Sequence, residues 1–232
     1  MVSSEGPVAP DGSPVELFAR LSAGSLPQLI HDAIPPGASI LELGAGAGRI
    51  THPLVELGHE VVAVDESPDM LARISGAETI ESRIEDLDLD RRFDIVLLMS
   101  HLIENPDQRV RQGFLRTCRS HVADTGCVLI QRDPPGRDYD TDPLRRTMSD
   151  GSTIGMRDLR QVSPGVVSFT LDYQVDGSTW VQHVVTRRIS DSSLKAELSL
   201  ADLEIDGFIT PSRTWVRARP LQSAKPGVGA PA

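Results

Sequence analysis

Between residues 42 and 65, five residues have the types and spacing to hold a nucleotide: Glu42, Gly44, Gly46, Gly48 and Asp65. Glycine has no Cβ and tolerates positive φ, so glycine at every second position lets the chain turn sharply and bring its backbone against a ligand. An acid about 20 residues further on is placed to accept both hydroxyls of a ribose. The spacing is G-x-G-x-G, where a pyrophosphate cradle uses G-x-G-x-x-G, and Arg49 holds that motif's third glycine position. Glu42 precedes the first glycine by two residues. A carboxylate there repels phosphates but suits an ammonium or a sulfonium.

Such residues need a strand, a turn, a helix and a second strand to position them. Residues 40–43 form a short apolar run that predicts a buried strand. Ile50, Leu54, Val55 and Leu57 lie at helical spacing, and a second apolar run over 61–64 stops at Asp65. Ser67 and Pro68 follow as a helix N-cap and first-turn proline, with Met70, Leu71 and Ile74 facing inward. Upstream, 15–34 predicts one or two helices with Leu17, Phe18, Leu21, Leu26, Leu29 and Ile30 on the apolar side. Downstream, 77–83 is a weak strand and 93–99 a nearly continuous apolar one, as parallel central strands are. The Asn105-Pro106-Asp107-Gln108 set caps a helix to about residue 122, and 126–131 is a fifth strand. Strand and helix alternate throughout, which predicts a parallel sheet with helices on both faces.

Beyond residue 131 the pattern breaks. Residues 132–165 are polar and interrupted by Pro and Gly, so 136–160 reads as a mobile gate. Residues 166–175 alternate, Asp176-Gly177 is a strong turn signal, and 179–189 returns. Counting back from the turn pairs Tyr173 with Trp180. A helix over 193–203 and strands over 203–209 and 214–219 resume the main pattern. The expected organisation is a loose tail over 1–14, a domain over 15–219 with 132–190 inserted as a cap, and a loose tail over 220–232.

With a net charge of −10 and a pI near 5.0, the 232-residue chain lacks the basic footprint of a nucleic-acid binder. No apolar run approaches the ~20 residues of a membrane span. The first residues lack the apolar core of a signal peptide, so a cytoplasmic protein is expected. Cys118 and Cys127, the two cysteines, read as packed thiols. No metal-ligand spacing occurs, and no metal is expected.

The E-x-G-x-G-x-G stretch resembles motif I of the class I S-adenosylmethionine-dependent methyltransferases, matched by Glu42, Gly44, Gly46 and Gly48, with Asp65 at the family's ribose-binding acid. Residues 66–71, ESPDML, are similar to the family's usual ending of the second strand, and Ile84-Glu85-Asp86-Leu87 to its adenine-side loop. Arg83 departs from it, standing where the family usually has an acid. The resemblance implies a Rossmann-like doubly wound α/β fold: a seven-stranded, mostly parallel sheet with the last strand antiparallel, here with an inserted antiparallel β-hairpin cap. It implies S-adenosyl-L-methionine as cofactor, held by Glu42, Gly44, Ala45, Gly46, Gly48, Asp65, Glu66, Met70, Ile84, Glu85, Met99 and Ser100. The partner is a small-molecule acceptor, of the secondary-metabolite kind, with no nucleic acid or membrane, and the chain a monomer or homodimer.

Methyl transfer from a sulfonium is an in-line displacement that needs aim and dryness more than a nucleophile. An oxygen acceptor also needs a base, and His101, at the mouth of the fourth strand, is the candidate. Phe18, Glu104, Gln131, Tyr139, Arg146, Tyr173 and Trp180 are the candidate acceptor residues. Asp133, though at a strand end, reads as a rim residue. Transfer to an oxygen or nitrogen stays open, with N-methylation of an amino sugar or peptide terminus as the alternative. An NAD-dependent oxidoreductase and a non-catalytic cofactor-binding module are readings of other classes.

Overall fold

The computed structural model describes residues 6–139, 145–148 and 150–222. The core is a seven-stranded sheet. Its strands are β1 (Ser39–Leu43), β2 (Glu60–Asp65), β3 (Glu78–Glu81), β4 (Phe93–Leu98), β5 (Val122–Gln131), β10 (Leu203–Phe208) and β11 (Trp215–Pro220). They lie in the order β10-β11-β5-β4-β1-β2-β3, and β11 alone runs antiparallel to both its neighbours. This is the expected Rossmann-like sheet, with the expected reversal of the last strand.

The helices are α1 (Val15–Arg20), α2 (Leu26–Ala33), α3 (Thr51–Glu56), α4 (Pro68–Leu71), α5 (Gln108–His121) and α6 (Asp191–Ser199). They cover two apolar faces. Leu41, Leu43, Val96, Leu98 and Val128 point to one core with Phe114, Leu115 and Leu194. Ile40, Ile95, Leu97 and Leu129 point to the other with Ile30, Leu54 and Trp215. Strands buried on both faces must be apolar at successive positions, which is why β1 and β4 read as continuous runs. Helix α5 is capped by Asp107, whose carboxylate accepts from Arg109 N at 2.8 Å, two residues after Asn105 where the cap was expected to begin. Both cysteines are free, Cys118 buried and Cys127 half-buried.

The expected cap hairpin is present as β8 (Val166–Val175) and β9 (Ser178–Arg187), and β6 (Arg145–Thr147) and β7 (Thr153–Ser163) extend it into a four-stranded antiparallel sheet. The β8–β9 register is as predicted, Tyr173 opposite Trp180. The added strands also take up part of the expected gate, since 145–147 and 153–160 lie in β6 and β7, while 140–144 and 149 lie outside the described residues. Strand β7 was hidden by its irregularity: it bulges between Arg157 and Arg160, with Asp158 at φ 56°, so its side-chain alternation slips by one position. Finally, residues 6–14 form a strap rather than part of a loose tail. Ala9 N donates to Ser13 O and Val15 N to Pro7 O, and Ala9 packs on Ala47 and Met70 beside the glycine loop.

Candidate functional site

The carboxyl ends of β1, β2 and β4 meet at the glycine loop. Gly44, Gly46 and Gly48 all have positive φ, of 70°, 56° and 81°. A Cβ on Gly44 would press on the Leu102 Cδ1 methyl at 2.9 Å, and at φ 70° the backbone itself favours glycine there. Gly46 differs, since its Cβ would meet nothing nearer than Met70 Sδ at 4.0 Å. Space is therefore left above the middle of the loop.

Asp65 bounds that space at the end of β2. Its Oδ2 accepts from Gly46 N at 2.8 Å and its Oδ1 from Ser67 N at 2.9 Å. The acid expected at a ribose thus also clamps the loop to the second strand, while each oxygen keeps capacity for another donor. Burial raises its pKa, against the lowering effect of those two backbone hydrogen bonds.

Glu42 lies on the other side, 3% exposed, with Oε2 accepting from Thr51 Oγ1 at 2.7 Å. Burial pushes its pKa up to about 7, against the Thr51 hydrogen bond and the charge of Arg49. A carboxylate held this dry is poised to take a cation, whose charge restores the ionised form.

The third wall is the segment after β4. Ser100 and His101 are consecutive non-glycine residues with φ of 53° and 61°, a left-handed pair that costs of order 1–3 kcal/mol per residue. Ser100 N donates to Gln131 Oε1 at 3.0 Å. The turn swings the His101 ring over Glu104, Nδ1 lying 2.9 Å from Glu104 Oε2 and 3.7 Å from Asp133 Oδ1. Facing a carboxylate, Nδ1 is the protonated nitrogen and Nε2 is left as the acceptor. Desolvation lowers the ring's pKa, but the Glu104 hydrogen bond and the charges of Asp133 and Glu104 outweigh it and the net shift is upward. Glu104, 2% exposed, also accepts from Asp133 N at 3.0 Å. Asp133 is held in turn by Arg137 Nη1 at 2.7 Å and by Tyr139 Oη at 2.5 Å.

His101, Glu104 and Asp133 place one ligand atom each within 4.8 Å of one another, a donor set that could hold a divalent cation. All four carboxylate oxygens already accept hydrogen bonds, however, and the Arg137 guanidinium already neutralises Asp133. The cluster is arranged to orient and charge the imidazole.

Of the residues singled out in the sequence, Glu42, Gly44, Ala45, Gly46, Gly48, Asp65, Met70 and Ile84 gather around the loop, Met70 3% and Ile84 8% exposed in its floor. Glu66 is exposed beside Asp65, and Glu85 is half-buried and ion-paired with Arg83. Met99 is 2% exposed within the core under β4, so it supports the strand rather than facing the space. Gln131, Ser100, His101 and Glu104 meet at the rim. Four acceptor candidates are placed otherwise than expected. Tyr139 is 1% exposed, stacked near Phe169 with ring centroids 5.5 Å apart, and its hydroxyl is spent on Asp133. Tyr173 and Trp180 pack with Leu17, which makes them cap interior. Arg146 lies exposed on the edge strand β6. Phe18, half-buried, touches both the Ala47–Met70 cluster and the cap interior.

Sequence reasoning gave Asp133 only a rim place and Arg49 only a departure from the dinucleotide motif, and it passed over Thr51 and the strap residue Ser13. Thr51 had a signal, a hydroxyl at the first turn of the helix that follows the glycine loop. The strap had none, because its order comes from contacts such as Gln182 Nε2 donating to Ser13 Oγ at 3.1 Å, across most of the chain.

Residues 40–126 match a family model described as a methyltransferase domain. A ubiquinone biosynthesis O-methyltransferase of Rhodopseudomonas palustris is 28% identical over 169 residues, 55% of this chain and 64% of the relative. Another, from a Bradyrhizobium species, is 39% identical over 102 residues, 40% of this chain and 39% of the relative. The chain thus matches less than two thirds of the length of these curated relatives. Among solved structures, a sugar N-methyltransferase from a Streptoalloteichus species superposes with a TM-score of 0.69 at 19% identity, covering 96% of this chain and 99% of that one. An amino pentose methyltransferase of calicheamicin biosynthesis from Micromonospora echinaspora gives 0.67 at 17%, covering 89% and 92%. At such identities the likeness is one of fold.

Proposed function

We propose, from the match of residues 40–126 to a methyltransferase-domain model and from the site's geometry, that the chain transfers a methyl group from S-adenosylmethionine to a hydroxyl of a small molecule of the secondary-metabolite kind. The observation that carries this reading is the open space over Gly46, bounded by a buried carboxylate at Glu42 and a clamped one at Asp65. A nucleoside with a cationic tail fits these groups. A dinucleotide would bring its pyrophosphate toward Glu42, so NAD does not fit.

The cofactor supplies an activated methyl group. Asp65 would hold the ribose hydroxyls, Glu42 would meet the cationic end, Met70 and Ile84 would floor the nucleoside, and the strap around Ala9, which packs on Ala47 and Met70, would help keep water from the loop. His101 Nε2 takes the acceptor's proton while Glu104 steadies the imidazolium that forms and Asp133 adds a second carboxylate behind it. Arg137 and Tyr139 keep Asp133 in place. A nitrogen acceptor is the second reading, favoured by solved neighbours whose names assign them to amino sugars. An amine that arrives neutral needs no base, so His101 distinguishes the two.

Titration calorimetry with S-adenosylhomocysteine and with NAD tests the cofactor assignment, and the expected result is binding of the first alone. Binding of NAD in its place would replace this function by an oxidoreductase. Turnover of phenolic, sugar-hydroxyl and amino-sugar acceptors by the native chain and by His101→Gln then separates oxygen from nitrogen transfer.

A further inference from the structure

Successive strand residues face opposite ways, and cross-strand partners share a face. In the cap, the register sets Phe169 opposite Val184, Leu171 opposite Gln182 and Tyr173 opposite Trp180 on one face of β8 and β9. Leu17 of α1 covers one end of that face, packing on Tyr173 and Trp180. Tyr139 covers the other end, packing on Met156 and Val167, with its ring 5.5 Å from that of Phe169. Between the two covers Phe169, Leu171 and Val184 stay half-buried. Val184 belongs to neither cluster. Two hydrogen bonds tie this middle stretch to the site. Thr186, two residues beyond Val184 on the same face, donates Oγ1 to Glu104 O at 3.5 Å, and Glu104 holds His101. Gln182, two residues before it, donates Nε2 to Ser13 Oγ at 3.1 Å, on the strap that packs beside the glycine loop. Val184 therefore lies between a residue tied to the His101 cluster and one tied to the cover of the loop. The charged neighbours turn away: Asp172 pairs with Arg157 at 2.8 Å on the opposite face, where Thr170 and His183 also meet.

We propose that this stretch is the ceiling of the acceptor site and selects a neutral phenol, whose ring lies against Phe169, Leu171 and Val184 while its hydroxyl donates to His101 Nε2. The inference rests on the methyl-transfer reading above and narrows its acceptor to an aromatic hydroxyl. An apolar wall with one convergent polar group suits a flat ring that carries a single oxygen to be aimed. A sugar would set several hydroxyls against a wall that offers them no partner, and each one left unpaired costs affinity. A phenolic hydroxyl, with a pKa of about 10, is also a strong donor to a neutral imidazole nitrogen. Phe169, Leu171 and Val184 thus become specificity-determining residues, supplied by the cap and not by the parallel sheet.

The test loads the full chain with S-adenosylhomocysteine and measures acceptor binding by calorimetry. The probes are the neutral phenols 4-methylcatechol, 1-naphthol and 4-phenylphenol, and the sugars methyl glucoside and glucosamine. The native chain is expected to bind at least one phenol about 10-fold or more tightly than either sugar. Val184→Asp, which puts a carboxylate into the ceiling, should weaken that phenol by about 10- to 100-fold and S-adenosylhomocysteine by no more than about twofold. Val184→Thr keeps the branched shape and adds only a hydroxyl, so a loss of about three- to tenfold is expected; it carries the test if the Asp variant does not fold. Preference for a sugar, binding of none of the phenols, or full phenol affinity in the Val184 variants would overturn the proposal. Equal losses of phenol and S-adenosylhomocysteine in Val184→Thr would make Val184 a structural residue and overturn it as well. If the native chain does not bind S-adenosylhomocysteine, the methyltransferase reading fails and takes this one with it; if it does and only the phenol comparisons fail, that reading stands with another acceptor.

Discussion

The two sheets solve opposite problems with the same element. The parallel strands β1, β2 and β4 are buried on both faces, and their chemistry comes from what leaves their carboxyl ends: the glycine loop, Asp65 and the left-handed Ser100-His101 pair. The cap strands β8 and β9 alternate, one face packing on Leu17 and Tyr139 and the other carrying exposed Val181 and Val185. Their contribution to the site is a wall, tied down by Thr186 near Glu104 O and by Gln182 on the strap. A strand end in a parallel sheet can aim a functional group because both faces are locked. A one-faced sheet carries its specificity in shape.

The comparison is broken hardest at glycine. Gly46→Val is expected to abolish S-adenosylhomocysteine binding in a folded protein, because the branched side chain would fill the open space over the loop at a residue with φ 56°. In the cap, Gly177 also has positive φ, 77°, with nothing near its Cβ. Gly177→Ala should therefore cost about 1 kcal/mol of stability and leave ligand affinity unchanged. Undiminished binding by folded Gly46→Val, measured by calorimetry, would remove the loop from the site.

His101→Gln is expected to lower turnover of a hydroxyl acceptor by about 10²- to 10⁴-fold while S-adenosylhomocysteine affinity changes little. The base must be neutral to accept a proton, and Glu104 and Asp133 hold its pKa above the usual 6.5 despite the opposing charge of Arg137. The rate should therefore rise with pH through an apparent pKa above 6.5. Asp133→Asn should move that midpoint down, since it removes a charge that favours the imidazolium. A profile that is flat across this range, or unmoved in Asp133→Asn, would refute the base assignment.

Trp180→Ala sharpens the contrast. The side chain is 5% exposed between Leu17 and Tyr173, so its loss should cost about 3 kcal/mol or more. Hydrogen exchange should register the loss in β8 and β9 with the core strands unaffected; loss spread evenly over both sheets would mean that they unfold as one unit. The smallest effect is expected for Tyr173→Phe, which removes only the 3.2 Å hydrogen bond to Gln182, at about 1 kcal/mol or less by thermal denaturation.

Local chemistry carried most of this molecule. The run 40–43, the three glycines and Asp65 specify a strand, a turn and a clamp within 27 residues of chain, since each signal acts over a single turn or strand. The Asp176-Gly177 turn sets the pairing of Tyr173 with Trp180 for the same reason: in a hairpin, register follows from turn length. Strand β7 escaped because its bulge erases the alternation that marks a strand, and its pairing to β8 supplies what the pattern lacks. The members of the rim cluster can be named one by one from the chain, but their mutual contacts cannot, because they come from two segments, 100–104 and 131–139. His101 and Glu104 are neighbours in sequence, but Asp133 reaches them only after β4 and β5 lie side by side. Burial has the same origin. Glu42 is an ordinary carboxylate as a letter, and its pKa rises to about 7 only because α3 and the neighbouring strands take water away from it. Short-range periodicity and turn chemistry are written in the chain, whereas solvent exclusion and the meeting of distant charges are properties of packing alone.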